Sequence, residues 1–395
     1  MSEFASFKSQ LERPLNVKLA EFQRNDRLKH LIFAAQLTPS LLGKLHEMAD
    51  MIRHMSRTRE GNMQLKNLLA HRRAMLYFTQ PSTRTFLSFM AACQILGITC
   101  NEVRDPKTSS ESKRESKLDS IRMFSSYFDV IIMRTLIAEY SEVCAYLMNQ
   151  LEAQEMRSVP IINAGAGADE HPTQALLDMY TILRTFTADY SRESKQSRFI
   201  ELQGTYPELV PGPSRKTYLF CGDMGRGRTA RSLATVLAQY ERVRMFFVSP
   251  DHPALTMEKA LIQKLRDKGV EVHEFFSLDA MHEGKPLLAQ TDCLYMTRIQ
   301  REHNSEEVAQ ELSKMDLSAF RLTPERAAVL KSYAPILHPF PRDSVIGEIP
   351  TEIDADPRSM YFRQARNGMW IRAALLVHLF DASEELMRLY ARFKG

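Results

Sequence analysis

The sequence predicts an α/β protein of two domains, each a parallel sheet flanked by helices, with the C-terminal helix returning to the first domain. Three observations carry that expectation. A chain of 395 residues is long enough for two cores of ordinary size. Short apolar runs at 73–78, 129–134, 159–163, 217–221, 244–248, 270–276 and 293–296 are each bounded by polar or turn residues and separated by helical patterns, the mark of parallel βα units. A polar stretch at 187–215, holding Gly204, Pro207, Pro211, Gly212 and Pro213, reads as a linker or insertion between two α/β halves.

Taken in order, residues 1–30 are polar and mixed in charge, and fit a helical arm or a loose extension equally well. Thr38-Pro39 then reads as a cap with proline in the first turn. Leu41, Leu42, Leu45, Met48, Ala49, Ile52 and Met55 follow at helical period. The stretch 104–120, rich in Ser, Lys and Glu, breaks the rhythm as an expected loop. A late helix, roughly 369–391, is placed to pack on the first half.

Composition narrows the function. The 52 basic and 48 acidic residues leave a net charge of only +4, too even a balance for a nucleic-acid partner, which needs a clustered basic patch. No apolar run approaches the ~20 residues that cross a bilayer, so no membrane is expected. The five cysteines, Cys93, Cys100, Cys144, Cys221 and Cys293, form no C-x-x-C pair. They fit a reducing, cytoplasmic setting, packed as small apolar groups. Glu3, Glu12 and Glu21 argue against an organelle transit peptide.

Six segments can carry chemistry. Ser82-Thr83-Arg84-Thr85 follows the run 73–78 and opens a helix, where free N–H groups and the helix dipole favour a phosphate. His171-Pro172-Thr173-Gln174 also opens a helix, after the run 159–163 and Gly165 and Gly167, at the carboxyl end of a parallel sheet where ligands bind. Arg134 ends the run 129–134. The loop Gly222-Asp223-Met224-Gly225-Arg226-Gly227-Arg228-Thr229 lacks G-x-G-x-x-G spacing, and its arginines suit an anion better than a dinucleotide. Met296-Thr297-Arg298-Ile299-Gln300 ends the run 293–296, and His338-Pro339-Phe340-Pro341-Arg342 is a proline-fixed loop with carbonyls outside any ladder. Singly, each fits a plainer role: a hydroxyl cap, a capping histidine, a solvated arginine or a rigid loop. No cluster of Cys, His and carboxylates stands at metal-binding spacing, so neither metal nor organic cofactor is expected.

In order and together, these segments resemble the aspartate and ornithine carbamoyltransferase family, over about residues 30–380. Ser-Thr-Arg-Thr matches the family's carbamoyl phosphate signature. Asn163-Ala164-Gly165, His171-Pro172-Thr173-Gln174, Arg228-Thr229, Arg298-Ile299-Gln300 and His338-Pro339-Phe340-Pro341-Arg342 tilt toward the aspartate branch. The Ser-Met-Gly and His-Cys-Leu-Pro of the ornithine branch are not here.

The resemblance implies carbamoyl transfer from carbamoyl phosphate to the amine of L-aspartate, in pyrimidine biosynthesis. Ser82, Thr83, Arg84 and Thr85 would hold phosphate, while Thr85, Arg134 and His171 contact the carbamoyl oxygen. Gln174 and the carbonyls of Pro339 and Phe340 would hold the carbamoyl NH₂. Arg228 would bind the α-carboxylate of aspartate, and Arg298 with Gln300 its side-chain carboxylate. Ser109 and Lys113 match family residues that reach a neighbouring subunit's site, implying a homotrimer with shared sites. The expected division is an extension at 1–30, a carbamoyl phosphate-binding domain at 31–186 with the helix of about 366–395, and an aspartate-binding domain at 187–365. A transcarbamylase for another amine, and a non-catalytic structural homologue, remain as alternatives. The chain departs from the family at Gln80 (usually Glu), His303 (usually Arg), Phe86 (usually Arg), Arg231 (usually His) and Ala166 (usually Asp). The first two positions help tie the family's domains together in the closed state, so altered closure and weaker aspartate affinity are expected.

Overall fold

The computed structural model describes residues 4–25, 27–105, 115–167, 170–187, 200–299, 311, 315–344 and 347–395. The chain divides into two compact units, Met1–Leu177 with Arg366–Gly395, and Asp178–Ala365.

The first unit begins with an arm of short helices, Lys8–Leu11 and Leu15–Glu21, and a hairpin of β1 (Gln23–Arg24) and β2 (Arg27–Leu28). Sequence left this segment undecided because helices of four and seven residues are too short to show a period. Packing decides it. Phe7 and Phe22 are buried, and the Phe22 ring lies 4.9 Å from Tyr146 on the helix Tyr140–Ala153. Lys18 Nζ stands 2.7 Å from the buried carboxylate of Glu142, and Asn149 Nδ2 donates to the Glu21 carbonyl at 3.2 Å.

The sheet of this unit runs β4 (Thr99–Val103), β3 (Arg73–Phe78), β5 (Val130–Arg134), β6 (Ile161–Asn163), all parallel. Central strands covered on both faces read as continuous apolar runs; β4 does not. It is an edge strand whose Thr99, Asn101 and Glu102 are exposed, so no apolar run betrays it. The helix Pro39–Met55 starts at Thr38, whose side chain accepts from Leu41 N at 3.3 Å. All seven apolar residues predicted for its inner face are buried. The expected 104–120 loop is cut short: the helix Lys117–Tyr127 begins inside it, capped by Ser116, while 106–114 lie outside the described residues. The C-terminal return is two helices, Tyr361–Leu379 and Ser383–Lys394, broken near Asp381 at φ 59°. The last one packs on Pro39–Met55 and Arg59–Leu68, with Tyr390 and Phe393 against His54.

The second unit's sheet runs β13 (Ile336–Leu337), β12 (Cys293–Met296), β7 (Thr217–Cys221), β8 (Arg244–Val248), β9 (Glu271–Phe275), again all parallel. A hairpin of β10 (Met281–His282) and β11 (Lys285–Pro286) follows β9. Leu219, Phe246, Val248, Leu294, Met296 and Ile336 point into one core with Leu255, Leu278 and Phe320. Tyr218, Phe220, Met245, Phe247 and Tyr295, one register step away, are buried too. Of the 187–215 stretch, 188–199 lie outside the described residues. Residues 200–205 are helical and belong to this unit. Tyr206 meets Tyr333 edge-on at 4.8 Å and accepts from Ser332 N at 3.2 Å, which is docking rather than a free linker. None of the five cysteines forms a disulfide, and four of them are buried; Cys100 is only half-buried, short of the full packing expected.

Candidate active site

Parallel strands end together, so whatever follows neighbouring strands shares one rim of the sheet. In the first unit the rim of β3, β5 and β6 carries the predicted residues. Ser82 precedes the helix Thr83–Ile95 in extended backbone and makes no side-chain cap bond. The N–H groups of a helix's first turn have no acceptor within the helix itself, which suits such a turn to an anion. Thr83 and Arg84 are exposed, and Thr85 is buried.

Arg134 closes β5, with Nη1 3.2 Å from the Ala164 carbonyl and 3.4 Å from His171 Nε2. His171 and Gln174 are buried. Gln174 N donates to His171 Nδ1 at 3.3 Å. An Nδ1 that accepts leaves the neutral ring's proton on Nε2, the nitrogen on the Arg134 side. Two donors thus converge on one point.

Gly165 makes the convergence possible. At φ 95° it occupies left-handed space, and a Cβ there would stand 2.7 Å from both Arg134 Nη1 and His171 Cδ2. Its turn is held by Asn163 Oδ1, which accepts from Gly165 N at 2.9 Å and Ala166 N at 2.8 Å. In the sequence Gly165 stands only as a glycine ahead of His171 and as part of the Asn163-Ala164-Gly165 motif; nothing local shows which side chains it clears.

In the second unit the rim of β13, β12 and β7 carries the others. Half-buried Arg228 starts the helix Arg228–Leu237 after β7, and half-buried Arg298 follows β12. Their loops press together because Gly222 has no side chain. A Cβ there would lie 2.1 Å from the Thr297 carbonyl, and Thr297 N donates to the Cys221 carbonyl at 2.7 Å. Arg231, where the family usually has His, donates through Nη1 to the Gly225 carbonyl at 2.7 Å, bracing the same loop. Phe86, where Arg is usual, is buried edge-on to Phe78 at 5.4 Å, with Arg104 over its ring at 4.8 Å. Pro339 and Phe340 follow β13 in a loop whose His338 N donates to Gln364 Oε1 at 2.9 Å.

A buried polar network behind this rim escaped the sequence reading. Tyr295 donates to Asp178 Oδ2 at 2.8 Å, and Gln364 Nε2 donates to Asp178 Oδ1 at 2.6 Å. Tyr295, Asp178, Gln364 and His338 are all buried. Burial, then the Asp178 charge, pushes the Tyr295 hydroxyl well above its usual range, so it stays a donor. The network fixes the β12 loop of Arg298 to the His338-Pro339-Phe340 loop. Gln300, Ser109, Lys113 and His303 lie outside the described residues.

The structure brings together three donor side chains that sequence spacing did not show as a ligand cluster. Glu271, His273 and His282 bring one donor atom each to within 4.8 Å of the others. The signal was a Glu-x-His alternation on β9, but its third member comes from a hairpin that sequence spacing does not reveal.

The chain belongs to the aspartate/ornithine carbamoyltransferase family. Residues 29–184 match its carbamoyl-P binding domain and residues 214–379 its Asp/Orn binding domain. The chain is 34% identical to the chloroplastic aspartate carbamoyltransferase of Arabidopsis thaliana over 362 residues, 91% of this chain and 78% of that one. It is 32% identical to the aspartate carbamoyltransferase catalytic subunit of Vibrio cholerae over 356 residues, 90% of this chain and 97% of that one. The crystal structure of Trypanosoma cruzi aspartate transcarbamoylase with carbamoyl aspartate and phosphate superposes with a TM-score of 0.71 at 31% identity, covering 88% of this chain and 95% of that one.

Proposed function

We propose that this chain transfers the carbamoyl group of carbamoyl phosphate to the amine of L-aspartate, giving N-carbamoyl-L-aspartate and phosphate, the reaction that feeds pyrimidine biosynthesis. The observation that carries the chemistry is the approach of Arg134 Nη1 to His171 Nε2 at 3.4 Å, on the rim that also bears Ser82, Thr83, Arg84 and Thr85. Family membership and the ligands of the Trypanosoma cruzi structure support the same reaction.

The mechanism follows from charge. The neutral aspartate amine donates its lone pair to the carbamoyl carbon, and negative charge builds on the carbamoyl oxygen. Arg134, His171 and Thr85 stabilise that oxyanion, a role worth ~10²–10³ in rate per donor removed. The C–O bond to phosphate breaks, and the leaving phosphate takes the amine proton. No protein base is required. Ser82, Thr83, Arg84 and the first-turn N–H groups hold the phosphate. Gln174 and the carbonyls of Pro339 and Phe340 orient the carbamoyl NH₂. Arg228 takes the α-carboxylate, and Arg298 with Gln300 selects the side-chain carboxylate. Holding both anions in reactive register supplies much of the remaining rate.

The assembly we favour is a homotrimer in which Ser109 and Lys113 complete a neighbour's site, working in the cytoplasm, where unpaired thiols persist. The decisive assay is aspartate-dependent release of phosphate from carbamoyl phosphate. Release with another amine but not aspartate would reassign the acceptor, and none with any amine would leave a structural homologue. For the shared site, Arg84→Ala and Lys113→Ala chains, inactive singly, should regain activity when mixed; no recovery after verified exchange would remove it.

A further inference from the structure

We propose that Glu271, His273 and His282 form a binding site for a divalent transition-metal ion, Zn²⁺ above all, on the sheet edge of the second unit. The site is separate from the proposed substrate residues. It begins at the first residue of β9, the outer strand, whereas Arg228 and Arg298 follow the carboxyl ends of β7 and β12.

Strand geometry supplies two ligands, because residues two apart share a face; Glu271 and His273 are such a pair. The third arrives on the β10–β11 hairpin, turned by Glu283 and Gly284 at φ 50° and 74°. Those angles suit the tight turns that follow strand twist. Gln290 Nε2 pins the turn by donating to the carbonyls of His282 at 2.9 Å and Lys285 at 3.1 Å.

The donor atoms already stand near ligand spacing. Glu271 Oε1 is 2.9 Å from His273 Nε2 and 3.9 Å from His282 Nε2. Bonds of about 2.0–2.2 Å in a tetrahedron put ligand atoms about 3.3–3.6 Å apart, between those two values. His282 Nε2 is sealed from solvent and has no hydrogen-bond partner among the described residues, a state that costs free energy unless something fills it. The two imidazoles lie 4.2 Å apart between centroids, with Phe246 5.3 Å from His282 and 6.0 Å from His273. That apolar wall limits water on one side and holds the rings in place. Arg244 Nε contacts Glu271 Oε1 at 2.9 Å, so on metal binding the guanidinium must pass to Oε2 and leave Oε1 to the ion. Two imidazoles and one carboxylate favour Zn²⁺ over Mg²⁺ or Ca²⁺ and leave a fourth position for water. A bound ion would tie the hairpin to an otherwise open strand edge.

The test uses the full-length chain, stripped of metal and titrated with Zn²⁺ against a chromophoric chelator, then with Co²⁺ followed by visible absorption. One equivalent per chain should bind with an affinity on the order of micromolar, uncontested by Mg²⁺. Co²⁺ should give four-coordinate bands without thiolate charge transfer. His273→Asn, His282→Asn and Glu271→Gln should each weaken binding by about tenfold or more, with carbamoyl transfer to aspartate unchanged. No bound equivalent, thiolate bands, or binding indifferent to all three substitutions would overturn the proposal.

Discussion

Replacing Gly165 with alanine separates catalysis from stability. The new methyl would sit 2.7 Å from Arg134 Nη1 and from His171 Cδ2, and 2.9 Å from His171 Nε2. Ordinary carbon contacts lie near ~3.5–4.0 Å, so these groups must retreat by about 1 Å. The guanidinium, at the end of a flexible chain, yields readily. The imidazole does not, because its ring is buried and its Nδ1 is held by Gln174 N. Alanine at φ 95° adds backbone strain of about 1–3 kcal/mol, which lowers Tm by several degrees without unfolding the chain. Misplacement of ~1 Å costs ~10² in rate, and losing one oxyanion donor costs ~10²–10³. We expect kcat to fall by about 10²–10³. Phosphate affinity should hold, because Ser82–Thr85 are not among the atoms the methyl meets. Phosphate-release kinetics, a thermal melt and phosphate titration read the three quantities. A folded variant with unchanged kcat would refute the placement of Arg134 and His171.

Other expectations follow from burial. Desolvation first, then Lys29, lowers the His30 pKa from 6.5 to about 3; burial first, then Arg27, lowers His378 to about 4. The unfolded chain takes up these protons below pH 6.5 and the folded chain does not. Their contribution is therefore intact above pH 6.5 and lost as pH falls, at about 1.4 kcal/mol per unit for each. Urea midpoints between pH 7 and 5 should drop, and less steeply in His30→Gln; a flat profile would contradict this. Asp178→Ala strands the Tyr295 hydroxyl and a Gln364 N–H. It should cost about 1–3 kcal/mol for each group and raise the KM for aspartate; an unchanged melt would show the network to be incidental. Gln80 Oε1 is buried without a hydrogen-bond partner among the described residues. Gln80→Glu combined with His303→Arg should lower the KM for aspartate, and no change would end the closure argument.

What sequence revealed follows burial. The strands Arg73–Phe78, Thr217–Cys221, Arg244–Val248 and Cys293–Met296 are covered on both faces and read as unbroken apolar runs. Thr99–Val103 is an edge, and Ile336–Leu337 is two residues long before a proline loop, so neither gives a run or an alternation. Rim residues were legible because Ser82–Thr85, His171–Gln174 and Arg298 lie in the segments that leave β3, β6 and β12. The silent contributors act through space: Gly165 by what it leaves empty, and Asp178 by joining residues 117 and 186 positions away. His282 was hidden because only a turn brings it back to β9.

The N-terminal arm carries a practical corollary. The family match starts at residue 29, a tempting place to begin a minimal enzyme. A chain trimmed there would lose Lys18, whose Nζ stands 2.7 Å from the carboxylate of Glu142, a residue only 5% exposed. Breaking a fully buried pair by removing one partner costs about 3–5 kcal/mol. The same cut would bare Tyr146 and Tyr140, inviting the shortened enzyme to clump on storage. Those opening residues act as a built-in lid on a sticky wall, and anyone engineering this chain should leave them on.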